Sequence, residues 1–504
     1  MSDVLLRLAG ITKRFAALVA NDAIDLELRR GQILALLGEN GAGKTTLMNI
    51  LFGHYLADAG EVLVADRGGG LRPLPPGSPH AALAAGIGMV HQHFTLAGNL
   101  TVLDNIMLGT ESLWWPWQRR AAARARLEGL MQAAGLQVDL AAPVAGLSVG
   151  EAQRVEILKA LYRDARILIL DEPTAVLTPQ ETEQLFAVLR RLAAQGLAVV
   201  FISHKLGEVM ALSDRVAVLR GGRKVADLAT RDAARARLAE LMVGRAVPER
   251  RREPRPAGPP CLELRQVTAT GLATVDLVVH RHEIVGIAGV AGNGQAALSG
   301  LLSGLLEATT GTLRLDGRPW PTGGPAAVIA AGVARIPEDR NHDGVVGDLT
   351  VAENAILADR GRTELQRAGV LRRSAVIAHA QRLIAAYDVR CTGPDQPVRL
   401  LSGGNVQKLI LGRELERRPL LVVANQPGRG LDVGAVAYVH DQLLDARERG
   451  AGILLISEDL DELLALADRV AVIHRGRLGP ALPTETLSLQ RLGLMMAGQL
   501  DDAA

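Results

Sequence analysis

The sequence has little sulfur, few aromatic side chains and almost no lysine. Two cysteines in 504 residues, Cys261 and Cys391, exclude a disulfide framework, and we expect both to be small buried apolar side chains. Lys plus Arg (56) nearly balance Asp plus Glu (54), so the net charge of +2 indicates neither general nucleic-acid binding nor attraction to an anionic membrane. Asp3 and Arg7 interrupt any apolar segment of a secretory signal, and none is predicted.

Long uncharged stretches are equally scarce. Residues 284–306 form a run of 23 residues without a charge, long enough to span a bilayer, but six of them are glycines. We therefore predict a buried strand, a glycine loop and a helix there. Apolar residues make up 48% of the chain and charged residues 22%, which favours globular structure. At about 150 residues per domain, the length predicts two to four domains.

The chain repeats once. LSVGEAQRVEILKAL, from Leu147, reappears as LSGGNVQKLILGREL, from Leu401, an offset of 401−147 = 254. The glycine-rich segment at Gly38 reappears at Gly289, an offset of 289−38 = 251. Motif order is the same in both halves, so we predict a duplicated domain of about 250 residues.

A stretch rich in proline and arginine separates the two copies. We predict a first domain over 1–244, a semi-rigid linker over 245–260 and a second domain over 261–504. A nucleic-acid-binding patch is the alternative interpretation of the linker, but Glu249 and Glu253 dilute its positive charge.

Short apolar runs alternate with helical patterns in each half. Ile33–Leu37, Ile167–Leu170 and Ala198–Ile202 are typical of buried strands, whereas Glu181–Ala194 and Arg119–Ala134 have helical periodicity. This alternation predicts an α/β fold with a mostly parallel sheet and helices on its faces.

The residues GENGAGKT, after the first of these strands, match an eight-residue phosphate loop. Its glycines let backbone N–H groups turn towards phosphate oxygens, next to the positive end of a helix. Lys44 is one of only six lysines, and its compact charge suits the outer phosphates, while the Thr45 hydroxyl can bind Mg²⁺. The nucleotide-binding residues predicted here are Gly38, Asn40, Gly41, Gly43, Lys44, Thr45 and Thr46.

Three polar residues follow later strands of the first half. Asp171 and Glu172 come at the end of one strand, where open parallel sheets bind ligands, and His204 comes after another. We expect Asp171 to contact Mg²⁺, Glu172 to polarise the water that attacks the γ-phosphate, and His204 to bond that phosphate.

These motifs resemble the ATP-binding cassette (ABC) ATPases over essentially the whole chain. The specific segments are LSGGN at Leu401 and LSVGE at Leu147. The resemblance implies two tandem P-loop ATPase domains, each a mostly parallel sheet with a helical signature subdomain. It also implies head-to-tail pairing of the cassettes, with ATP and Mg²⁺ between one phosphate loop and the other signature. Gln92 resembles the family's Mg²⁺-contacting glutamine, and Phe15 its adenine-stacking ring, with a core phenylalanine as the alternative.

The second half departs from the family pattern at almost every catalytic position. Its replacements are Gln295 for Lys44, Ala296 for Thr45, Asn425 for Asp171, Gln426 for Glu172, Glu458 for His204 and Glu338 for Gln92. No aromatic residue matches Phe15, and an amide cannot serve as a general base at neutral pH.

The signature segments differ in the opposite sense. The first half has Val149 where a signature glycine belongs, and Thr178 where the second half has Asp432, whereas the second half keeps Ser402, Gly403 and Gly404. Head-to-tail pairing therefore predicts one intact composite ATP site and one degenerate site that binds nucleotide weakly or not at all. The intact site combines Lys44, Thr45, Gln92, Asp171, Glu172 and His204 with Ser402, Gly403, Gly404 and Asp432.

LSGGN-x-QK and PEDR, from Pro337, resemble segments of the ATPase subunit of bacterial simple-sugar and nucleoside importers. The motif sequences are more similar to those of the nucleoside branch. The resemblance implies a peripheral subunit on the cytoplasmic face of the inner membrane. Its partners would be two permease subunits and an extracytoplasmic solute-binding protein, without nucleic acid. The alternatives are a soluble tandem ATPase acting on ribosomes or nucleic acid, and a regulatory cassette pair without turnover. Trp114, Trp115 and Trp117 are interpreted equally as a membrane-subunit contact or as core packing.

Overall fold

The computed structural model describes residues 3–16, 18–66, 68–91, 95–111, 119–174, 177, 179–203, 205–246, 250, 252–290, 292–359, 361–496 and 498. The chain divides into two compact units, Met1–Val247 and Pro248–Ala504. Each unit contains one small antiparallel sheet and one larger, mainly parallel sheet with helices. The predicted α/β class, with two P-loop ATPase domains, is confirmed.

The first unit begins with a long hairpin and then alternates strands and helices. Its strands are β1 Val4–Phe15, β2 Leu18–Arg29, β3 Ile33–Gly38, β4 Ala59–Ala65, β5 Leu71–Pro73, β6 Ile87–Val90, β7 Ile167–Asp171, β8 Ala198–Ile202, β9 Arg215–Arg220 and β10 Arg223–Ala229. Its helices are α1 Lys44–Phe52, α2 Pro79–Ala84, α3 Val102–Met107, α4 Arg120–Ala134, α5 Val149–Tyr162, α6 Pro179–Ala194, α7 Leu206–Leu212 and α8 Arg235–Val243.

Two sheets organise this unit. The smaller has strand order β2-β1-β4-β5, and the larger has order β10-β9-β3-β8-β7-β6. Strand β3 lies between β8 and β9, parallel to both, and every one of its residues is buried. Fully apolar strands such as β3 are expected where helices cover both sheet faces. This central position brings the carboxyl ends of β3, β7 and β8 to one edge of the sheet, where the candidate site lies.

The second unit repeats this plan. Its strands are β11 Pro260–Ala269, β12 Leu272–His280, β13 Ile284–Ala288, β14 Thr310–Leu315, β15 Arg318–Pro319, β16 Val333–Ile336, β17 Gln366–Arg367, β18 Val370–Leu371, β19 Leu421–Asn425, β20 Gly452–Ser457, β21 Arg469–His474, β22 Arg477–Leu478 and β23 Leu482–Pro483. Its helices are α9 Gln295–Leu302, α10 Pro325–Ala330, α11 Val351–Ala355, α12 Arg373–Ala386, α13 Gly403–Leu415, α14 Val433–Glu448, α15 Leu460–Leu466 and α16 Leu489–Met496.

The larger sheet of this unit runs β16-β19-β20-β13-β21-β22, with β23 also paired to β21. The smaller runs β12-β11-β14-β15, and β17 pairs with β18. The uncharged run 284–306 contains β13, the glycine loop and α9, as predicted. Cys261 is buried as expected, and burial raises the pKa of its thiol to about 12. Cys391 is only half-buried at the edge of the core, so its prediction as a buried side chain was wrong.

Two arginines of the predicted linker, Arg250 and Arg252, lie within the second unit and pair with its acidic residues. The Arg250 guanidinium pairs with Asp445 and Glu448, at 2.5 Å each, near the end of α14. Arg252 pairs with Asp468, at 3.4 Å, and with Glu485. These ion pairs attach the first residues of the second unit to its helices and loops.

Candidate functional site

The phosphate loop of the first unit connects β3 to α1. Gly43 has a φ of 96°, and a Cβ there would collide with the Ala20 carbonyl oxygen and lie 2.6 Å from the Asn21 amide nitrogen. Only glycine therefore suits this position. The Lys44 ammonium donates hydrogen bonds to the carbonyl oxygens of Gly38, at 2.7 Å, and Glu39, at 2.9 Å. The loop thus holds its cation on the inner side, where phosphate oxygens would meet it.

The helix that follows the loop carries the two predicted threonines. Thr45 is exposed and Thr46 is half-buried, while Asn40 and Gly41 lie exposed at the tip of the loop. Gly41 has a φ of 81° and open space around its missing side chain. The exposed tip of the loop is followed by the N-terminus of α1, and backbone N–H groups of this kind suit an anion.

Asn21 is a support of this loop that the sequence reasoning missed. Its side chain is fully buried in β2, and its Nδ2 donates to the Gly43 carbonyl oxygen at 3.1 Å. Within the described residues its Oδ1 is buried without a hydrogen-bond partner, an arrangement that costs free energy. A lone asparagine in an otherwise alternating strand was the only available signal.

Asp171 and Glu172 lie together where β7 ends. Burial raises the pKa of Asp171, the Glu172 charge raises it further, and Lys44 partly offsets both. A cation at this position would stabilise the ionised carboxylate, so the residues suit Mg²⁺. The described residues contain no cluster of three His, Cys, Asp or Glu side chains that would hold a metal unaided. A Mg²⁺ ion here would therefore be held jointly with the nucleotide phosphates.

Glu172 adopts an uncommon backbone conformation at this strand end. Its φ is 47°, in the left-handed region that few non-glycine residues occupy. Its N–H donates to the Ile202 carbonyl oxygen of β8 at 3.0 Å, which keeps the residue at the sheet edge. Such strain is typical of functional positions.

Phe15 lies at the surface, so the alternative of a core phenylalanine was wrong. Its side chain is 42% exposed and packs edge-on against Tyr55, with ring centroids 5.7 Å apart. Phe15 pairs with Leu18 across the hairpin of β1 and β2, and two residues further along, Ala20 contacts the phosphate loop. The hairpin that carries this exposed aromatic ring thus also contacts the phosphate loop, through Ala20.

Several predicted residues lie outside the described parts of the chain. They are Gln92, Thr178, His204, Trp114, Trp115 and Trp117. Their predicted roles, including both interpretations of the tryptophan cluster, stay predictions.

The corresponding loop of the second unit is filled by its own side chains. The Gln295 amide donates to the Val290 carbonyl oxygen at 2.8 Å and accepts from the Asn293 N–H at 3.1 Å. Asn293 also donates its Nδ2 to Val290 and accepts the Arg475 N–H. A loop N–H that would face a phosphate already has a partner here, and Gln295 brings no positive charge.

The end of β19 in the second unit has the backbone of its counterpart but different chemistry. Gln426 has a φ of 50°, and its N–H donates to the Ile456 carbonyl oxygen at 2.8 Å, as Glu172 does in the first unit. The Gln426 Oε1 accepts the Glu458 N–H at 3.3 Å. Asn425 is buried, and its Oδ1 has no hydrogen-bond partner within the described residues. Amides thus stand where the first unit presents two carboxylates.

The two signature segments present different helix N-termini. In the first unit, Ser148 and Glu151 form a capping box on α5, and bonds from Ser148 lower the pKa of Glu151. This places a carboxylate at the helix end, where it disfavours a second anion. In the second unit, the Ser402 hydroxyl accepts from Asn405 at 2.8 Å, and no side chain of the described residues caps α13. The N-terminus of α13 therefore remains available to an anion.

The remaining predicted residues lie in both units. Gly403 and Gly404 begin α13, and the Asp432 carboxylate caps α14 by accepting the Ala435 N–H at 2.8 Å. Val149 is 43% exposed at the first turn of α5. Glu338 forms an ion pair with Arg429. No helix in the described parts of the chain is long and apolar enough to cross a membrane.

Comparison with known proteins agrees with these features. The model of the ABC transporter family matches residues 21–175 and 272–427. The glucose import ATP-binding protein of Haloferax volcanii is 45% identical, over 100% of this chain and 97% of its own. The nucleoside import ATP-binding protein of Lactococcus lactis is 41% identical, over 99% of both chains. The guanosine import ATP-binding protein of Bacillus subtilis is 42% identical, over 100% of this chain and 99% of its own.

Solved structures of tandem cassettes are more distant in sequence. The structure titled RNase-L Inhibitor has a TM-score of 0.63 and 21% identity, covering 98% of this chain and 92% of its own. An archaeal ribosome recycling factor has a TM-score of 0.60 and 20% identity, covering 94% and 89%. At these identities the likeness shows the fold alone. On the matched family regions and full-length relatives, the chain belongs to the ABC transporter family and is an ATPase with two tandem ATP-binding cassettes.

Proposed function

We propose that this chain is the ATP-hydrolysing subunit of a membrane importer for a nucleoside or simple sugar. Support comes from full-length relatives named as import ATP-binding proteins for glucose, nucleosides and guanosine. Their identities to this chain, 41–45%, are too similar to favour one solute. The proposed partners are two permease subunits and an extracytoplasmic solute-binding protein, with the chain bound at the cytoplasmic face of the membrane. The domain limits 1–244 and 261–504, with the linker 245–260, belong to this proposal.

In this proposal the first unit binds MgATP. The backbone N–H groups of the loop from Gly38 to Gly43 bind phosphate oxygens, and Lys44 exchanges its loop carbonyl partners for the outer phosphates. Thr45, Asp171 and Gln92 would hold Mg²⁺, which neutralises phosphate charge when bound. The exposed Phe15 ring stacks on adenine.

Hydrolysis in this proposal requires a base at the sheet edge. Glu172 accepts a proton from a water molecule as the water oxygen bonds to the γ-phosphorus. The bond from phosphorus to the bridging oxygen breaks, so ADP and inorganic phosphate leave. His204 is proposed to bond the γ-phosphate, and its position in this role rests on the family resemblance.

One observation carries the proposed asymmetry: the ends of β7 and β19 have matching backbones and opposite chemistry. Glu172 and Gln426 differ in φ by only 50° − 47° = 3°, yet one side chain is a base and the other an amide. The second unit also fills its phosphate loop with Gln295 but keeps the uncapped signature helix at Ser402. We therefore propose one competent ATP site, formed by the first loop with the second signature, and one degenerate site.

Two measurements test this proposal. ATP hydrolysis by the purified chain tests the competent site. Co-expression with a permease pair in membrane vesicles, with a panel of nucleosides and sugars outside, tests the import role. Solute-dependent stimulation of hydrolysis is the expected result. A chain that hydrolyses ATP but never binds a permease would contradict the import role and leave the ATPase assignment intact.

A further inference from the structure

The turn after β16 in the second unit is unusually well held. Asp339 accepts hydrogen bonds from the N–H groups of Asn341 and His342, both at 3.0 Å, and thereby caps a five-residue π-helical turn, Arg340–Gly344. These bonds lower the pKa of Asp339, so its carboxylate stays ionised in the cap. These hydrogen bonds hold the backbone of the turn, whose first residue is Arg340.

The Arg340 side chain points from this turn to the chain segment that follows Gln426. Its Nη1 donates to the Arg429 carbonyl oxygen at 2.6 Å, and its Nη2 lies 3.4 Å from the Gly430 carbonyl oxygen. Burial lowers the pKa of this guanidinium, although the Asp339 charge partly offsets the effect. Within the described residues its Nε is buried without a hydrogen-bond partner. Half-burying a guanidinium with one N–H left without a partner costs free energy.

The same guanidinium covers the first signature glycine. A Cβ on Gly403 would lie 2.8 Å from the Arg340 Nη2, 3.1 Å from its Nε and 3.3 Å from its Cζ. The missing side chain of Gly403 is therefore the space that the guanidinium occupies. Arg340 thus contacts two chain segments, one at the N-terminus of α13 and one at residues 429–430.

A neighbouring ion pair strengthens this connection. Glu338, two residues before Arg340, pairs with the Arg429 side chain, whose backbone carbonyl Arg340 also binds. The turn therefore contacts residue 429 twice, once by its side chain and once by its backbone. Arg340 thereby links residues 429–430 to the signature glycine.

We propose that Arg340 is a positioning residue that keeps the signature segment Ser402–Gly404 and the segment Arg429–Asp432 in fixed register for ATP hydrolysis. The inference rests on the proposed function, in which both segments complete the competent ATP site. A guanidinium suits this task because its planar fork bonds two carbonyl oxygens while its face covers a glycine. It also adds positive charge behind the anion-binding end of α13.

The test compares ATP turnover of the full chain with Arg340→Ala, Arg340→Lys and the control Arg335→Ala. Arg335 lies on β16, the strand before the turn, and pairs with Asp343 of the turn at 3.4 Å. The control therefore removes a nearby arginine that contacts the turn but, within the described residues, does not bond to residues 429–430 as Arg340 does. We expect Arg340→Ala to lower kcat about tenfold or more. Without the guanidinium, the segments Ser402–Gly404 and Arg429–Asp432 lose their fixed register, and both must contact ATP in the proposed hydrolytic site. The Kd for a fluorescent ATP analogue should stay within about twofold, since the first phosphate loop is untouched. Lysine should restore only part of kcat, because a single ammonium cannot replace the fork.

Amide hydrogen exchange of Arg340→Lys provides a second measurement that does not depend on the alanine variant folding. Faster exchange confined to residues 402–405 and 429–432 is expected, whereas a general packing defect would accelerate exchange throughout the unit. A kcat of Arg340→Ala within twofold of wild type, or equal to that of Arg335→Ala, would overturn the positioning role. If wild type and Glu172→Gln turn over equally, the proposed function itself fails, which is a separate outcome.

Discussion

Glu172→Gln is the most informative substitution in this protein, because the second unit already has a glutamine, Gln426, at the corresponding position. Gln426 occupies the same left-handed conformation, with a φ of 50° against 47°, and its N–H makes the same bond to the neighbouring strand. The substitution should therefore leave the fold, the strain and the phosphate loop unchanged. What it removes is the ability to accept a proton.

The size of the loss follows from that chemistry. A positioned general base contributes roughly 10²–10⁴-fold, equivalent to about 3–5 kcal/mol of transition-state stabilisation. We expect kcat of Glu172→Gln to fall by this factor, while the affinity for MgATP stays within about threefold. A small change in affinity is expected because Lys44, Thr45 and Asp171 are retained.

The reciprocal change, Gln426→Glu, is the matched control. It restores a carboxylate at the end of β19, but Gln295 still bonds to its own loop and Asn425 still stands where the first unit has Asp171, the carboxylate proposed to bind Mg²⁺. Turnover should rise by less than about twofold over wild type, since a base alone cannot act without bound phosphate.

Phosphate release measured against ATP concentration, with melting temperature as the folding control, distinguishes one competent ATP site from two equivalent sites. Equal losses of kcat from Glu172→Gln and from a change at Gln426, such as Gln426→Ala, would refute the asymmetric site. So would a Glu172→Gln variant that keeps more than half of the wild-type kcat.

Three further predictions follow from single contacts. Phe15→Ala should weaken ATP binding by about 5–150-fold, because base stacking contributes about 1–3 kcal/mol, and calorimetry should show this without a change in melting temperature, since the ring is exposed. Asp171→Asn should raise the melting temperature of the nucleotide-free chain at pH 7 while abolishing its stabilisation by MgATP. The raised pKa of Asp171 means that its carboxyl favours the folded state only while protonated, so the difference should shrink as the pH falls through that pKa. Arg447→Ala should destabilise the second unit by about 1.5–3 kcal/mol in urea unfolding, because Arg447 is 2% exposed and its hydrogen bonds to the Asp468 carboxylate, at 2.8 Å and 3.1 Å, are lost, while Asp468 keeps its pair with Arg252.

Much of the architecture was predictable because its signals are local. The phosphate loop needs glycines, a lysine and a hydroxyl within eight residues between a strand and a helix, and all of these stand in order from Gly38. Apolar runs such as Ile33–Leu37 correctly predicted buried strands, which end within one residue of the expected limits. Comparison with relatives confirms the family.

Other features required the tertiary structure. The sequence favoured an adenine-stacking role for Phe15 but left a core position open, because the exposure of its ring depends on where the hairpin ends relative to Tyr55. Asn21 gave no usable signal, since its bond to Gly43 joins residues 22 positions apart. The prediction for Cys391 failed because it rested on composition, whereas the burial of a side chain depends on how the folded core packs around it.

By itself, the amino-acid sequence determined the duplication, the nature of each motif and the replacement of Glu172 by the amide of Gln426 in the second half, since a side chain's functional group is the same wherever the chain places it. Only the tertiary structure decided that Gln295 fills its own loop, that the two signature helices differ in capping, and that Arg340 covers Gly403. Those facts depend on distances between residues brought together by folding, and the Arg340 contact joins positions 403 − 340 = 63 residues apart. The sequence therefore gives the functional groups of each half, and the folded structure gives the contacts that those groups make.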